Sequence, residues 1–522
     1  MQYTAASILT PATERELYQM LMNSTGPIKA LGSRHSFSSI ADSRHNGTLF
    51  RMTEMNKVQD CCYENTVTVQ PGMTYAALGK FLDKKGFALS NYASLPHISI
   101  GGALMTSTHG SGFQNSILAD SVLSYEMMLM DGASWIVTTE DTEFYTGLVS
   151  VGSVGFLVSV TLRIEPQFQV QQCIYPNINW DILLDNGSGD SSAEQFFQRA
   201  YSVSAFTNWQ PDKDGTYDML SSVWLKHKLT DTDSNNPSDD ATLQCPKLYG
   251  VEARSFHPLP SRDPFDCSPN GVGPSHVMLP HFLPDNEPSG GGNELQSEYF
   301  IALSDAIGAL HALRGIAHKL APYTQVSEFR VVASDLFPLS VCFAKTSHGK
   351  PCFGIHFTWI NDVDGVTTKM LPLVEKTLEI WEPRPHHSKL HSLSSRIWKQ
   401  RYSGADAVQK TALKYDPEHR LSNDWLKKYM YPQKTEVHVV EALHVKDKNY
   451  NLMLEELHAL VDVFESEDAM DQILIDQVDD ILAEDEEDAD ILLSLESSLN
   501  DMQNSELFEL SDGSEGAGRF EL

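Results

Sequence analysis

The sequence predicts an α+β protein of two domains, the first completed by a late return of the chain. Three observations carry this reading. At 522 residues the chain is too long for one ordinary core. Near residue 167 the texture shifts from closely mixed strand and helix patterns to strand-like runs between loops rich in Asp, Ser, Pro and Gly. Near residue 400 it shifts again, to a short polar and aromatic segment, and beyond about 432 it becomes strongly acidic. The boundaries read this way are 1–167, 168–397, 398–432 and 433–522.

The elements follow in order. "TVTVQPGM" (66–73) alternates like a strand and stops at Pro-Gly. "TYAALGKFLDKKGFAL" reads as a helix with Ala77, Leu78, Phe81 and Leu82 on one face and Gly86 as its stop. "FLVSVTLRIEP" (156–166) is a β-branched strand run closed by proline. Polar loops at 231–241, 258–275 and 284–293 then separate strand-like runs such as "FRVVAS" and "FGIHFTWI", and the apolar periodicity of 298–323 predicts a helix between them. "KYDPEHRLSNDWL" reads as a turn followed by polar and aromatic residues. No internal repeat of fixed period is present.

Composition excludes several classes. The chain carries 70 acids against 38 bases, yet 23 of the acids and only one base lie in 451–522. The excess therefore belongs to the tail, and no basic cluster suggests nucleic-acid binding. The tail reads either as a solvated acidic segment or as an amphipathic helix built on the apolar residues of 473–482, and catalysis is expected not to need it. No apolar run reaches the length of a membrane span, and no signal-peptide pattern opens the sequence. Seven cysteines, scattered except for Cys61-Cys62, predict reduced thiols, a cytoplasmic location and no structural zinc. His97 and His109 resemble metal ligands, but no third ligand has suitable spacing, so no metal is expected.

Chemistry concentrates in three Gly-rich stretches: "LGSRHSF", "SIGGALMTSTHGSGF" and "SVGSVGFL". Glycine lets successive backbone N–H groups turn toward an anion. None is a G-x-G-x-x-G loop between strand and helix, and no G-x-x-x-x-G-K occurs, which argues against a Rossmann site and a P-loop. Ordinary surface turns have the same composition. In the second domain Glu328 and Arg330 share one face of a strand, as do His356 and Thr358. Side by side, two such strands place a carboxylate, a guanidinium, an imidazole and a hydroxyl on one polar face, and Lys389 adds an ammonium. An exposed sheet face with a salt bridge fits the same pattern.

In order and spacing, "ALGSRHSF", "ALSNYASLPHISIGGALMTSTHGSG" and "VGSVGFLVSVTLRIEP" resemble the PCMH-type FAD domain of the vanillyl-alcohol-oxidase flavoproteins, most closely the alditol oxidases. The likeness continues through "YSVSAFTNW", "DCSPNGVGPSHVMLPHF", "NELQSEYF", "SEFRVVASD", "IHFTW", "RPHHSK" and "YDPEHRLSND", and covers roughly residues 3–426. It implies an FAD domain formed by 1–167 and 398–432 and an α+β substrate cap. His35, in the G-x-x-H-S position, would carry FAD covalently. Ala30, Leu31, Gly32, Ser33, Arg34, Ser36, Ser94, Ser99, Gly102, Thr106, Ser107, Thr108, His109 and Leu157 would contact the cofactor. Ser94, Glu328, Arg330, His356, Thr358 and Lys389 would bind substrate, with Arg330, Lys389, His356 and Glu328 catalytic.

The implied reaction oxidises the terminal alcohol of a polyol to an aldose, with hydride passing to flavin N5 and O2 becoming H2O2. The rivals are an aldonolactone oxidase or dehydrogenase, or a non-catalytic binding protein on the same scaffold. Two departures stand out. The family reads R-P-H-W-G-K where this chain has His387 and Ser388, which bears on the pocket near Lys389. The "N-W-x-G-N" leader of relatives is also absent.

Overall fold

The computed structural model describes residues 3–431, apart from 181–182, 184–191, 214, 218, 230–244, 255–266 and 286–292. The acidic segment 433–522, with both readings of it, lies outside the described residues, as does much of the three polar loops.

Two sheets build the N-terminal part. One is parallel, with Thr48–Arg51 between Ser7–Leu9 and Ile28–Leu31. The other is antiparallel, ordered Val58–Cys61, Thr66–Val69, Phe156–Arg163, Val122–Met128, Ser134–Thr138. The helix Tyr75–Asp83 forms where expected, its N-terminus capped by the Thr74 hydroxyl. Gly86, at φ +79°, ends that segment. Its buried face is Tyr75, Leu78, Gly79 and Leu82, whereas Ala77 is exposed.

The helices Ser395–Arg401, Ala405–Tyr415 and Asp424–Tyr429 pack onto this part. Trp398, Tyr402, Val408 and Trp425 share one core with Leu78, Tyr125 and Leu148. Asn423 caps the last helix through Leu426 N and donates its amide to the carbonyls of Ser39, Ile40 and Asp42. Buried Lys29 donates to the carbonyls of Val151, Gly152 and Leu421.

The middle of the chain forms one eight-stranded antiparallel sheet. Its order is Gly271–Pro274, Gln169–Asn179, Met219–Lys228, Ser202–Thr207, Thr324–Val332, Cys352–Ile360, Glu294–Ala302, Arg384–Pro385. Alternation splits its two faces. Phe329, Val331, Phe353, Ile355, Phe357, Trp359, Tyr299 and Ile301 point into a core roofed by the helices Ala306–Gly315 and Leu371–Leu378. Glu328, Arg330, His356 and Thr358 point the other way, into a cleft.

Two expectations are corrected. The helix read over 298–323 is in fact strand through Ala302, then the helices Ala306–Gly315 and Ala317–Leu320. Tyr299, Phe300 and Ile301 favour a pleated surface, and pairing with strands on both sides overrides the local helical period. The cysteines are not all reduced thiols. Cys173–Cys245 and Cys342–Cys352 are disulfides with Cα atoms 5.6 and 5.7 Å apart, and adjacent Cys61–Cys62 is also joined. Cys267 is buried and not disulfide-bonded. Spacings of 72 and 10 residues carry no pairing signal until the strands are laid down. Among the described residues no helix is long and apolar enough to cross a membrane.

Candidate active site

The polar wall follows from strand register. His356 lies opposite Glu328 on one side and Glu298 on the other. Thr358 lies opposite Gln296, and Arg330 is two residues on from Glu328. His356 Nε2 is 3.1 Å from the Thr358 hydroxyl. Arg330 donates to Glu298 at 2.6 Å and to the Ser94 hydroxyl at 3.1 Å. Lys389 donates to Gln296 at 2.6 Å, and its Nζ lies 3.4 Å from His356 Nδ1. Ser94 is held from behind, its carbonyl accepting from the backbones of His281 and Phe282. All six substrate residues read from the sequence therefore meet in one cleft.

The N-terminal part adds Ala30–Ser36, Ser99, Gly102, Thr106, Thr108, His109 and Leu157 to the lining of the cleft. Ser33 and Ser99 clamp each other, each backbone N–H donating to the other's hydroxyl. A Cβ at Gly32 would collide with the Ser99 hydroxyl, so only glycine lets the loop approach this closely. Arg34 and Val151 take left-handed φ values of 66° and 49°, and Gly152 follows at 67°. Such turns aim backbone N–H groups inward. Small side chains and inward donors fit a pyrophosphate and the edge of a flavin. Ser107 departs from the expectation: it does not line the cleft, and its hydroxyl accepts from Val341 N at 3.0 Å.

The two parts of the lining are tied together. Phe37 N and Ser38 N donate to the Ser388 carbonyl at 2.6 and 3.3 Å, and the Ser38 hydroxyl donates to the His387 carbonyl at 2.8 Å. The His35 loop is thus pinned one residue from Lys389. The two departures from R-P-H-W-G-K separate here. His387 is buried among Trp398, Tyr402 and Trp425, with Nε2 2.6 Å from the Leu339 carbonyl. Ser388 lines the cleft and bonds His386 Nδ1 at 3.0 Å, so Ser388 is the change that reaches the pocket.

Burial sets the charges. It pushes the His356 imidazole down to about 3, helped by the Lys389 cation, so the ring is neutral. Burial also brings Lys389 down to about 8 against the opposing pull of Glu298. The Glu298 carboxyl would be raised by burial, but Arg330, His109 and Lys389 outweigh that and hold it well below its ordinary value. Glu328 is pushed up by burial, only partly offset by Arg330. His35 is lowered by burial, then by His97 and Lys389.

Sequence reasoning missed Glu298, Gln296, Glu294 and His281, all of which line the cleft. Glu294, Gln296 and Glu298 alternate on one strand, and that signal was readable. It was hidden because a helix was read from Glu298 onward. His281 approaches Glu328 at 3.5 Å from a loop and left no pattern. His97 does not join His109 in a ligand cluster among the described residues; a different trio forms around His109. Ligand atoms of His109, Glu298 and His386 lie within 4.8 Å of one another. Arg330 and Lys389 already face the two oxygens of Glu298, so a cation would meet two positive charges there.

A family model for the FAD binding domain matches residues 5–138, and one for D-arabinono-1,4-lactone oxidase matches residues 293–450. An alditol oxidase of Streptomyces sp. is 33% identical over 431 residues, covering 81% of this chain and 96% of that protein. An L-gulonolactone oxidase of Mus musculus is 25% identical over 435 residues, covering 80% and 92%. The crystal structure of cholesterol oxidase from B. sterolicum matches with TM-score 0.63 at 14% identity, over 81% of this chain and 94% of that one, a likeness of fold alone. Fold, cleft and matches define an FAD-dependent oxidoreductase acting on CH–OH groups, built on the vanillyl-alcohol-oxidase-type fold. Within that class the chain belongs to the alditol oxidase family.

Proposed function

We propose that this protein oxidises the terminal primary alcohol of sugar alcohols to the aldose. The observation that carries this reading is the wall itself. A polyol offers a row of hydroxyls that both donate and accept, with no charge and no aromatic ring. The cleft offers a row of opposite capacity: the buried groups of Glu328, Arg330, His356, Thr358 and Gln296, and half-buried Lys389. Among the described residues Glu328 Oε1 and Arg330 Nε have no hydrogen-bond partner. Buried groups left so demand one, and a substrate hydroxyl supplies it.

FAD held in this cleft would supply the acceptor for the carbinol hydride at N5, with O2 as the final oxidant and H2O2 as its product. His356, neutral and held by Thr358, takes the hydroxyl proton at a ring nitrogen. Arg330 and Lys389 stabilise the oxygen as it becomes anionic. Glu328 accepts from neighbouring hydroxyls, and the Ser94 hydroxyl steadies Arg330 by accepting its hydrogen bond. His35, kept neutral by its surroundings, has a ring nitrogen able to bond the flavin 8α carbon. Residues 1–167 and 398–432 would hold FAD, with 168–397 covering the substrate.

The test is peroxide release from the flavin-loaded protein with xylitol or sorbitol. Flavin that stays in the pellet after acid precipitation supports the bond to His35, and flavin found wholly in the supernatant refutes it. The match of residues 293–450 favours one second reading, oxidation of an aldonolactone. Turnover of L-gulono- or D-arabinono-1,4-lactone with inert polyols would establish that instead. Disulfides persist in oxidising compartments, so the two that join non-adjacent cysteines favour such a compartment over the cytoplasm that the scattered cysteines suggest.

A further inference from the structure

Two carboxylates face the cleft from the strands on either side of Cys352–Ile360, and their surroundings differ. Each keeps one oxygen without a hydrogen bond, and that of Glu328 lies 3.5 Å from His281 Nε2 and from Arg330 Nε. Glu298 is 1% exposed and is ringed by nitrogen. Its Oε1 lies 2.6 Å from Arg330 Nη2 and 3.4 Å from His109 Nε2. Its Oε2 lies 3.5 Å from His356 Nδ1 and 3.6 Å from Lys389 Nζ. Its backbone carbonyl accepts from His386 N at 2.9 Å. These partners come from separate segments of the chain: the 106–109 loop on the flavin side, the strands Thr324–Val332 and Cys352–Ile360, and the 386–389 turn.

From this geometry we propose that Glu298 is the positioning residue of the site. It aims Arg330, Lys389 and His356 at the substrate hydroxyl and ties them to the flavin-side loop through His109. The inference rests on the oxidation proposed above. The division of labour is electrostatic. Glu298 and Glu328 together balance Arg330 and Lys389. The other groups facing Glu298 are His109, His356 and His386, each driven toward the neutral form by burial. A buried carboxylate needs opposite charge beside it, here Arg330 and Lys389, and removing it leaves those cations unpaired.

The sign of the effect follows. Glu298 raises Lys389, so without it the ammonium gives up its proton at lower pH. In Glu298→Gln the alkaline fall of kcat/KM should move to lower pH. At pH 7 kcat should drop about 10²-fold, the scale of losing one oriented donor, with KM little changed. Glu298→Asp keeps the charge on a shorter arm. Its alkaline limb should stay in place, with kcat between those of the wild type and Glu298→Gln.

A second readout needs no turnover: the pH midpoint for reductive methylation of Lys389 in the flavin-loaded protein, followed by mass spectrometry. It should fall in Glu298→Gln and hold in Glu298→Asp. An unchanged midpoint together with an unchanged alkaline limb in Glu298→Gln overturns the proposal. If Glu298→Gln cannot hold flavin, Glu298→Asp decides: wild-type kcat from the shorter arm also overturns it. If the wild type does not oxidise polyols but the Lys389 midpoint shifts as stated, the substrate reading fails and the role of Glu298 stands.

Discussion

Arg330 and Lys389 are the two cations closest to the neutral imidazole, and each has its own expected signature. Arg330→Ala should lower kcat/KM by about 10²–10³-fold, as for loss of one donor to a developing oxyanion. Flavin content should stay near normal, because the residue sits on the cap sheet. Lys389 acts as an ammonium and is held near 8, so activity should fall as pH rises through about 8. A pH–rate profile with no alkaline limb below pH 10 would remove Lys389 from the charge balance. Much of this was readable from sequence: strand alternation alone pairs Glu328 with Arg330 and His356 with Thr358. His35, Ser94 and Lys389 sit on loops, where no period exists, and only their likeness to family motifs singled them out. Glu298 had the period but was read inside a helix.

Elements place these residues by joining distant stretches of chain. The Asp424–Tyr429 helix matters through its cap. Asn423 starts the helix and also satisfies three carbonyls of the turn at 39–42, just beyond the His35 loop. Asn423→Ala should cost about 1–3 kcal/mol, from one lost cap and the orphaned carbonyls. Thermal unfolding should show the loss, and flavin retention should weaken with it. Gly32→Ala should be harsher for the cofactor, because its methyl group displaces the Ser99 clamp. Apo protein with an intact fold, seen by circular dichroism, is the expected result. Strands with clean alternation and the capped 75–83 helix were legible in the sequence. The 298–302 strand was not, because pairing on both edges, a non-local contribution, decided its state.

At the scale of the molecule, cysteine pairing was the feature least legible from sequence, since partners meet only after the strands are in place. Thiol titration of the denatured, unreduced protein should find one reactive cysteine of seven, Cys267. Finding seven would return the chain to the reduced state that its scattered cysteines suggest. The large antiparallel sheet of 169–385 begins where the texture of the sequence changes. The joining of the two parts of the cleft at Ser388 left no such mark, because it runs through backbone groups that every residue carries.

The return of the chain at 395–429 also has a consequence for how the protein is made. Ile28 N donates to the Arg420 carbonyl, Lys29 reaches Leu421, and the tilted rings of Trp135 and Tyr415 meet with centroids 4.3 Å apart. The stretch around residues 28–135 therefore waits, as the chain leaves the ribosome, for the last described part. Translation at roughly 5–20 residues per second leaves that apolar surface uncovered for roughly 10–50 s while the intervening sheet is synthesised. A nascent chain in that interval is a natural client for chaperones, and fragments that stop short of the return helices are expected to aggregate before they can bind flavin.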